Sequence, residues 1–179
     1  MIRKSLLALV LVGASMFATL SSEVAQAGVD SRGWVGGLLG ITVPDTDGVS
    51  SRSIWGLTAG AKLGSEWGVG AYYLNSSKNE DFGKYDLNLY GVQFGYHFEG
   101  EANGVFIAGR IGTSKIEVGG ADFSPTNLGV VAGYDYMLGE HFSLGGEASF
   151  MTIASDSGAG ARSESFTLLS FMGAAKFWF

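Results

Sequence analysis

Five charged residues stand inside segments of the sequence that otherwise alternate between apolar residues and small or polar ones. They are Lys62, Arg110, Asp135, Glu147 and Lys176. All of them fall on the polar side of the alternation, so they share one face. A charge buried without a partner is strongly destabilising. We therefore expect Arg110 to pair with Glu147, and Asp135 to pair with Lys62 or Lys176.

The chemistry open to such a network is electrostatic. The pairs can fill an interior and fix strand register, or they can act as a gate if the partners exchange. Gln93 and His97 lie on the same face as interior polar residues. The turn spacing places Gln93 near Arg110 and Gly133 near Glu147.

Asp45, Asp47 and Gly48 resemble the start of a calcium-binding loop. The later bidentate Glu and its spacing are missing, so a glycine-containing turn is the simpler interpretation. A weak cation-binding loop at Asp45 and Asp47 stays open. No other group of residues suggests a metal site, and nothing in the sequence calls for a cofactor.

The elements that must position these residues are eight alternating segments of about ten residues. They cover residues 34–43, 54–64, 67–74, 87–98, 105–114, 127–138, 142–153 and 165–179. Short and longer polar connections alternate strictly between them, and each longer one is about ten to twelve residues. The sequence predicts an all-β fold, an eight-stranded antiparallel up-and-down β-barrel.

The position of the charges indicates a transmembrane barrel. The apolar face of the eight segments carries no charged residue, as expected where Lys or Arg facing lipid costs roughly 2 to 4 kcal/mol. The opposite face holds the charges and many glycines, which suits the narrow lumen of an eight-stranded barrel. Aromatic residues gather toward both ends of the apolar face.

The start of the chain predicts export. Arg3 and Lys4 precede an uncharged stretch, and Ala25 and Ala27 give the small-x-small pattern of a cleavage site. We predict a signal peptide at residues 1–27 and a barrel domain at residues 28–179. The chain has no Cys, which excludes thiol catalysis and disulfides, and its net charge of -6 argues against nucleic acid as a partner.

The last segment ends on Lys176, Phe177, Trp178 and Phe179. With the eight segments and the alternating turns, it resembles the small outer-membrane β-barrels of Gram-negative bacteria, such as the OmpA transmembrane domain and OmpX, which belong with the porin family. The resemblance implies a monomer with periplasmic short turns. It also implies that Phe177 and Phe179 are part of a signal read by the outer-membrane assembly machinery, and that outer-membrane lipid and lipopolysaccharide surround the barrel.

His141 and Ser143 resemble the His-x-Ser motif of lipid A deacylases, in which His activates a Ser nucleophile and a carboxylate orients the His. Two features argue against this enzyme. Position 155, where the carboxylate is expected, is Ser. The pair also falls in a periplasmic turn, whereas lipid A occupies the outer leaflet. The sequence predicts no catalytic residues.

Three function classes remain. The favoured one is a structural or surface-interaction barrel that binds an unknown extracellular ligand through four outward loops, with the lumen plugged by the ion pairs. The second is a narrow porin-like or gated channel. The third is a soluble lipocalin-like binder, in which the aromatic residues would instead line a dry cavity.

Overall fold

The computed structural model describes residues 32–45, 51–80, 83–98, 103–118, 121–154 and 165–179. They form nine strands: β1 (Gly33–Pro44), β2 (Arg52–Leu63), β3 (Trp67–Glu80), β4 (Gly83–His97), β5 (Gly104–Val118), β6 (Ala121–Phe123), β7 (Thr126–Met137), β8 (Phe142–Ala154) and β9 (Ser165–Trp178). None of the described residues belongs to a helix long and apolar enough to span a membrane. The predicted signal peptide lies outside the described residues, and the domain division stays a prediction.

The sheet closes on itself. Strand β1 pairs antiparallel with β2 on one side and with β9 on the other, and β4 pairs with both β3 and β5. The other neighbours follow chain order. This closed antiparallel arrangement confirms the predicted up-and-down barrel.

Strands β6 and β7 are one barrel strand with an interruption at Pro125. Both pair with β5 in a single register, with Val118 opposite Ala121 and Thr113 opposite Thr126. Proline has no N–H to donate to the ladder, which breaks the strand. Its carbonyl still accepts a hydrogen bond from the Ser114 amide at 2.7 Å. Counted this way the barrel has the eight strands that the sequence predicted.

The registers set the width of the barrel. Stepping from each residue to its pairing partner on the next strand traces a path once around the barrel. The path runs through Val105, Tyr134, Gly146, Gly173, Leu39, Trp55, Asn75, Asn88 and Lys115. The path returns to β5 ten residues further along, at 115 rather than 105. With strands ~4.8 Å apart and a rise of ~3.3 Å per residue, this shear gives a tilt of about 40° and a radius of about 8 Å. A lumen this narrow is filled by side chains.

Three strands extend further than the sequence predicted. β3 continues to residue 80 rather than 74, β4 begins at 83 rather than 87, and β5 continues to 118 rather than 114. The prediction ended where apolar alternation ends, but backbone pairing continues through polar residues, as between Lys78 and Tyr85. The second and third longer connections are therefore paired hairpins rather than loops of ten to twelve residues. The strand formed by β6 and β7 likewise begins at 121 rather than 127, and the other strand boundaries agree with the prediction to within two residues.

The two ends of the barrel differ. The short-turn end carries the connections at residues 64–66, 98–103 and 138–141. Gly64 and Gly139 have φ angles of 81° and 122° there, a backbone region that favours glycine in tight turns. The opposite end, called the loop end, carries the extended β3–β4 and β5–β6 hairpins.

The outer face is apolar and exposed, and the inward face carries the charges. Val92, Ile107 and Phe150 are 55%, 48% and 52% exposed on the outer face. The five predicted interior charges are all 6% exposed or less. A soluble binder would expose polar and charged residues on its outer face, so this apolar outer face excludes the lipocalin-like alternative.

Candidate functional site

The centre of the lumen is organised around Arg110. Its Nη2 lies 2.8 Å from the Glu147 Oε1, in a salt bridge whose side chains are 1% and 3% exposed. Its Nε donates a hydrogen bond to the Gln93 Oε1 at 3.1 Å, and its guanidinium lies 5.0 Å from the centre of the Tyr72 ring. Charge pairing, hydrogen bonding and a cation–π contact thus hold one side chain across the barrel.

The strand registers explain this meeting. Gln93 on β4 lies opposite Arg110 on β5, and Gly133 on β7 lies opposite Glu147 on β8. The same register relations underlay the pairing expected from the sequence.

A second polar chain crosses the lumen beside Arg110. The Tyr72 hydroxyl donates to the Asn127 Oδ1 at 2.5 Å, and the Asn127 Nδ2 donates to the Ser114 Oγ at 3.1 Å. On the other side, the Gln93 Nε2 donates to the Thr58 Oγ1 at 3.4 Å. Tyr72 was not singled out from the sequence, although its place between the outward Ala71 and Tyr73 marks it as inward.

The second ion pair lies nearer the short-turn end. The Lys176 Nζ is 2.5 Å from the Asp135 Oδ2, and the same ammonium lies 4.5 Å from the centre of the Phe106 ring. His97 is buried and its ring centre is 5.5 Å from that of Phe106. Lys62 is also buried on this inward face. Of the two expected partners for Asp135, the structure brings Lys176 into contact.

Two tryptophans close the lumen below these charges. The rings of Trp34 and Trp178 lie 5.5 Å apart, and the Trp178 Nε1 donates to the Ser143 Oγ at 2.9 Å. A cavity of about 20 Å³ is lined by these two tryptophans together with His97 and Lys176. It is large enough for about one water molecule.

The loop-end half of the lumen combines a large apolar cluster, which was not expected from the sequence, with buried polar side chains such as Thr42, Ser76 and Ser114. The cluster consists of Leu38, Ile54, Tyr72, Leu74, Leu87, Leu89, Ile116, Met151, Ile153, Leu168, Met172 and Ala174. The sequence contains the pattern that predicts this cluster, because leucines and isoleucines occupy inward positions of several strands. The sequence prediction rests on the polar residues and glycines of the inward face and does not include these apolar residues. Arg52, buried at the first residue of β2, was missed because the predicted strand began at 54.

His141 and Ser143 do not form a catalytic pair. Ser143 is fully buried and accepts the hydrogen bond from Trp178. His141 is exposed in the turn, where its Nδ1 lies 3.0 Å from the Trp178 carbonyl oxygen and its ring stacks on Phe177. His141 precedes the first residue of β8, so strand parity does not hold its side chain on the inward face where Ser143 lies.

The predicted cation loop is only partly described. Asp45 is exposed after β1, and its amide donates to the Thr167 carbonyl at 2.8 Å. Asp47 lies outside the described residues. Across the described part of the chain, no three His, Asp or Glu residues are grouped so that they could hold a metal ion.

Phe177 and Phe179 lie on the outer face at the junction of β9 and β1. The amide and carbonyl of Phe179 exchange hydrogen bonds with those of Gly33 at 3.0 and 2.9 Å. Both rings are half-exposed or more. Their role as an assembly signal stays a prediction.

Residues 5–169 match the model of the family described as "Outer membrane protein beta-barrel domain". The chain belongs to this outer-membrane β-barrel family. It is therefore a transmembrane protein of the bacterial outer membrane, as the charge-free outer face predicted. No curated protein sequence matches it significantly.

Solved structures share this family fold at low identity. Neisserial surface protein A is 14% identical over 82% of this chain and 96% of its own, with a TM-score of 0.61. Ail from Yersinia pestis is 13% identical over 83% and 97%, with a TM-score of 0.51. OprG from Pseudomonas aeruginosa is 14% identical over 84% and 96%, also with a TM-score of 0.51. These neighbours support the small-barrel fold that the sequence resembled.

Proposed function

We propose that this protein is a closed, non-enzymatic and monomeric outer-membrane barrel that acts through its loop-end surface, with the short turns in the periplasm. The outer-membrane assembly machinery would insert it after removal of residues 1–27. In this proposal the lumen supports the surface and does not transport.

The observation that carries the proposal is the filled lumen. Leu74, Leu87 and Leu89 are at most 3% exposed inside the loop-end half. Below them, the Arg110–Glu147 pair spans the centre. An ion entering this half would lose most of its hydration among tightly packed side chains, and the buried polar groups there are already hydrogen-bonded to one another, as Tyr72 is to Asn127, so its passage is unfavourable. The plug is thus apolar packing together with ion pairs, rather than ion pairs alone.

Planar-bilayer recording of the refolded full chain tests the closed lumen. We expect no conductance steps from wild type or from Glu147→Ala, because the apolar cluster stays in place. Leu74→Ser combined with Leu89→Ser, which puts hydroxyls into that cluster, is expected to give steps. Steps from wild type that Glu147→Ala alters would instead establish the gated channel, the second candidate function.

The loop-end surface includes a paired extension of the barrel wall. β3 and β4 remain paired out to Glu80 and Gly83, and β5 pairs with β6 out to Val118 and Ala121. Strands β4 and β5 also pair there, at Tyr85 and Val118, so the two hairpins form one continuous sheet. A continuous sheet presents a pre-organised surface, which lowers the entropy lost on binding.

Charge limits the class of partner. The chain carries a formal charge of -6, and acidic residues recur in its longer connections. Ail was solved in complex with the heparin analogue sucrose octasulfate. For this chain like-charge repulsion disfavours such a polyanion, so we propose a neutral or cationic extracellular ligand. Lipopolysaccharide phosphates would approach the acidic rim through divalent cations.

Adhesion of cells displaying the protein tests the surface role. We expect binding to immobilised oligolysine but not to heparin. Replacing residues 77–86 with an Asn-Gly turn keeps the Ser76–Leu87 pair and removes the extension. The shortened variant should fold and lose adhesion. Binding to heparin would contradict the charge argument, and undiminished adhesion of the shortened variant would contradict the role of the extension.

A further inference from the structure

Two ring nitrogens near the short-turn end of the lumen are buried and have no hydrogen bond to any described residue. They are the Trp34 Nε1 and the His97 Nδ1. The two side chains belong to residues that are only 5% and 7% exposed. Buried polar atoms in native proteins almost always have a partner, so each of these nitrogens calls for one.

Both rings line the same cavity, which has a volume of about 20 Å³. They converge over Gly68, where an added Cβ would lie 3.3 Å from the Trp34 Cη2 and 3.6 Å from the His97 Cε1. Because Cε1 is bonded to Nδ1, the His97 nitrogen without a partner lies beside this point. A cavity of this volume admits one guest of about the size of a water molecule.

The two nitrogens require opposite kinds of partner. The indole Nε1 of Trp34 is a donor and cannot accept. The His97 ring donates to the backbone of Glu66, and this bond uses Nε2 because Nδ1 has no partner. A second proton on the ring would make it a third buried cation beside Lys62 and Lys176, which burial strongly disfavours. The ring is therefore neutral, and its Nδ1 is an acceptor.

We infer that the cavity binds one water molecule, which accepts a hydrogen bond from the Trp34 Nε1 and donates one to the His97 Nδ1. A halide would face the lone pair of His97, and a cation would face the N–H of Trp34, so neither satisfies both nitrogens. The Lys176 ammonium also lines the cavity and uses one of its three N–H groups on Asp135. It supplies a third hydrogen bond to the water, and three is the usual number for a buried water.

This water links two strands that do not pair with each other. Trp34 lies on β1 and His97 on β4, with β2 and β3 between them. Of the two tryptophans that close the short-turn end, Trp178 is fixed by its direct hydrogen bond to Ser143, and the water fixes Trp34. The bridge does not depend on the orientation of the barrel or on the role of its loop-end surface.

Water-selective nuclear Overhauser spectroscopy of the refolded full chain in nanodiscs at neutral pH tests the site. The chain has four tryptophans and two histidines, so few ring signals need assignment. Wild type should show a cross-peak between long-lived water and the Trp34 indole N–H. Gly68→Ala, whose methyl group occupies the space between the two rings, should lose this cross-peak.

Gly109→Ala is the matched control. Gly109 is exposed on the outer face with no atom within 4 Å of its Cβ position, so its variant adds the same methyl group away from the cavity. It should keep the wild-type cross-peak. Heat-dependent gel mobility checks that each variant folds.

A wild-type spectrum without the cross-peak would overturn the inference. A cross-peak that persists in Gly68→Ala would also overturn it, because the signal would then come from exchanging protons of the Lys176 ammonium. An indole signal that shifts when chloride is replaced by bromide would make an anion the occupant instead.

A second measurement needs no variant. The ¹⁵N shifts of the His97 ring should show a protonated Nε2 and an unprotonated Nδ1 that accepts a hydrogen bond. A protonated Nδ1 would remove the acceptor on which the inference depends. An unprotonated Nδ1 without a hydrogen bond would show that the cavity holds no water, and either result would overturn the site.

Discussion

At the scale of single residues, Arg110 links four strands because its guanidinium reaches three neighbours at once. The carboxylate of Glu147 neutralises it, the amide oxygen of Gln93 accepts from its Nε, and the ring of Tyr72 lies against its face. A charge this deeply buried is tolerated only while those partners remain. The same reasoning applies to Lys176 between Asp135 and Phe106.

Removing the Glu147 charge should therefore expose this dependence. We expect Glu147→Gln, which keeps the side-chain shape, to lower the free energy of unfolding by about 3 to 5 kcal/mol because Arg110 is left uncompensated. Urea unfolding in lipid vesicles, followed by tryptophan fluorescence, measures the loss.

The control replaces both partners. Arg110→Met combined with Glu147→Met removes the buried charge together with its counter-charge and should recover most of the lost stability. If Glu147→Gln is as stable as wild type, the pair does not hold the centre of the lumen.

How far these residues could be predicted depends on strand parity. Parity alone placed Arg110, Glu147, Asp135 and Lys176 inside, because each sits one residue from an apolar outward neighbour. It does not choose between Lys62 and Lys176 for Asp135, since that choice depends on the shear that brings β7, β8 and β9 together. The residues of the apolar cluster have the same inward parity as the charges. They can be predicted only by noting which residue type occupies each inward position.

At the scale of strands, the outward alternation marks the part of the wall that faces hydrocarbon, while hydrogen bonding sets where the strand ends. The end of the outward alternation and the end of backbone pairing coincide in β1, β8 and β9. They differ in β3, β4 and β5, where Asn75 pairs with Asn88 and the ladder continues beyond them. The sequence therefore predicts the membrane-spanning part of the strands well, and it underestimates how far the paired strands extend beyond that part at the loop end.

Adjacent glycines in β1 test how closely the strands approach. Gly36 faces the lumen, where a Cβ would lie 2.8 Å from the Ala175 carbonyl oxygen and the Lys176 Cγ, whereas Gly37 has nothing within 4 Å. We expect Gly36→Ala to lower the free energy of unfolding by about 1 to 3 kcal/mol through overpacking. Gly37→Ala should leave it unchanged or raise it by about 0.5 to 1 kcal/mol.

The same urea unfolding assay compares the two variants side by side. Equal effects would mean that the lumen can widen at β1 and that the glycines are not demanded by close packing.

At the scale of the whole molecule, closure depends on one junction between the two ends of the described barrel. β1 and β9 pair from Trp34 and Trp178 to Pro44 and Leu168. Gly33 and Phe179 add two further hydrogen bonds at the short-turn end. The Phe179 ring also covers the backbone of Gly33, since a Cβ there would lie 2.6 Å from its Cε2. An aromatic ring over a strand glycine is a recognised stabilising device.

Phe179→Ala should separate this structural role from the proposed assembly signal. The backbone bonds to Gly33 survive the substitution, so refolding into vesicles should proceed with near wild-type yield. In cells, the folded fraction in the outer membrane should fall several-fold if the assembly machinery reads this side chain. The heat-dependent gel band measures the folded fraction in both settings.

Phe150→Ala is the matched control, because Phe150 is another half-exposed outer-face phenylalanine but lies on β8, away from the junction. It should assemble as wild type in cells and refold as wild type in vesicles. If Phe179→Ala reduces the yield equally in both settings, its ring acts through closure of the barrel alone. If neither yield falls, the backbone pairing of β1 with β9 is sufficient both to close the barrel and to assemble it.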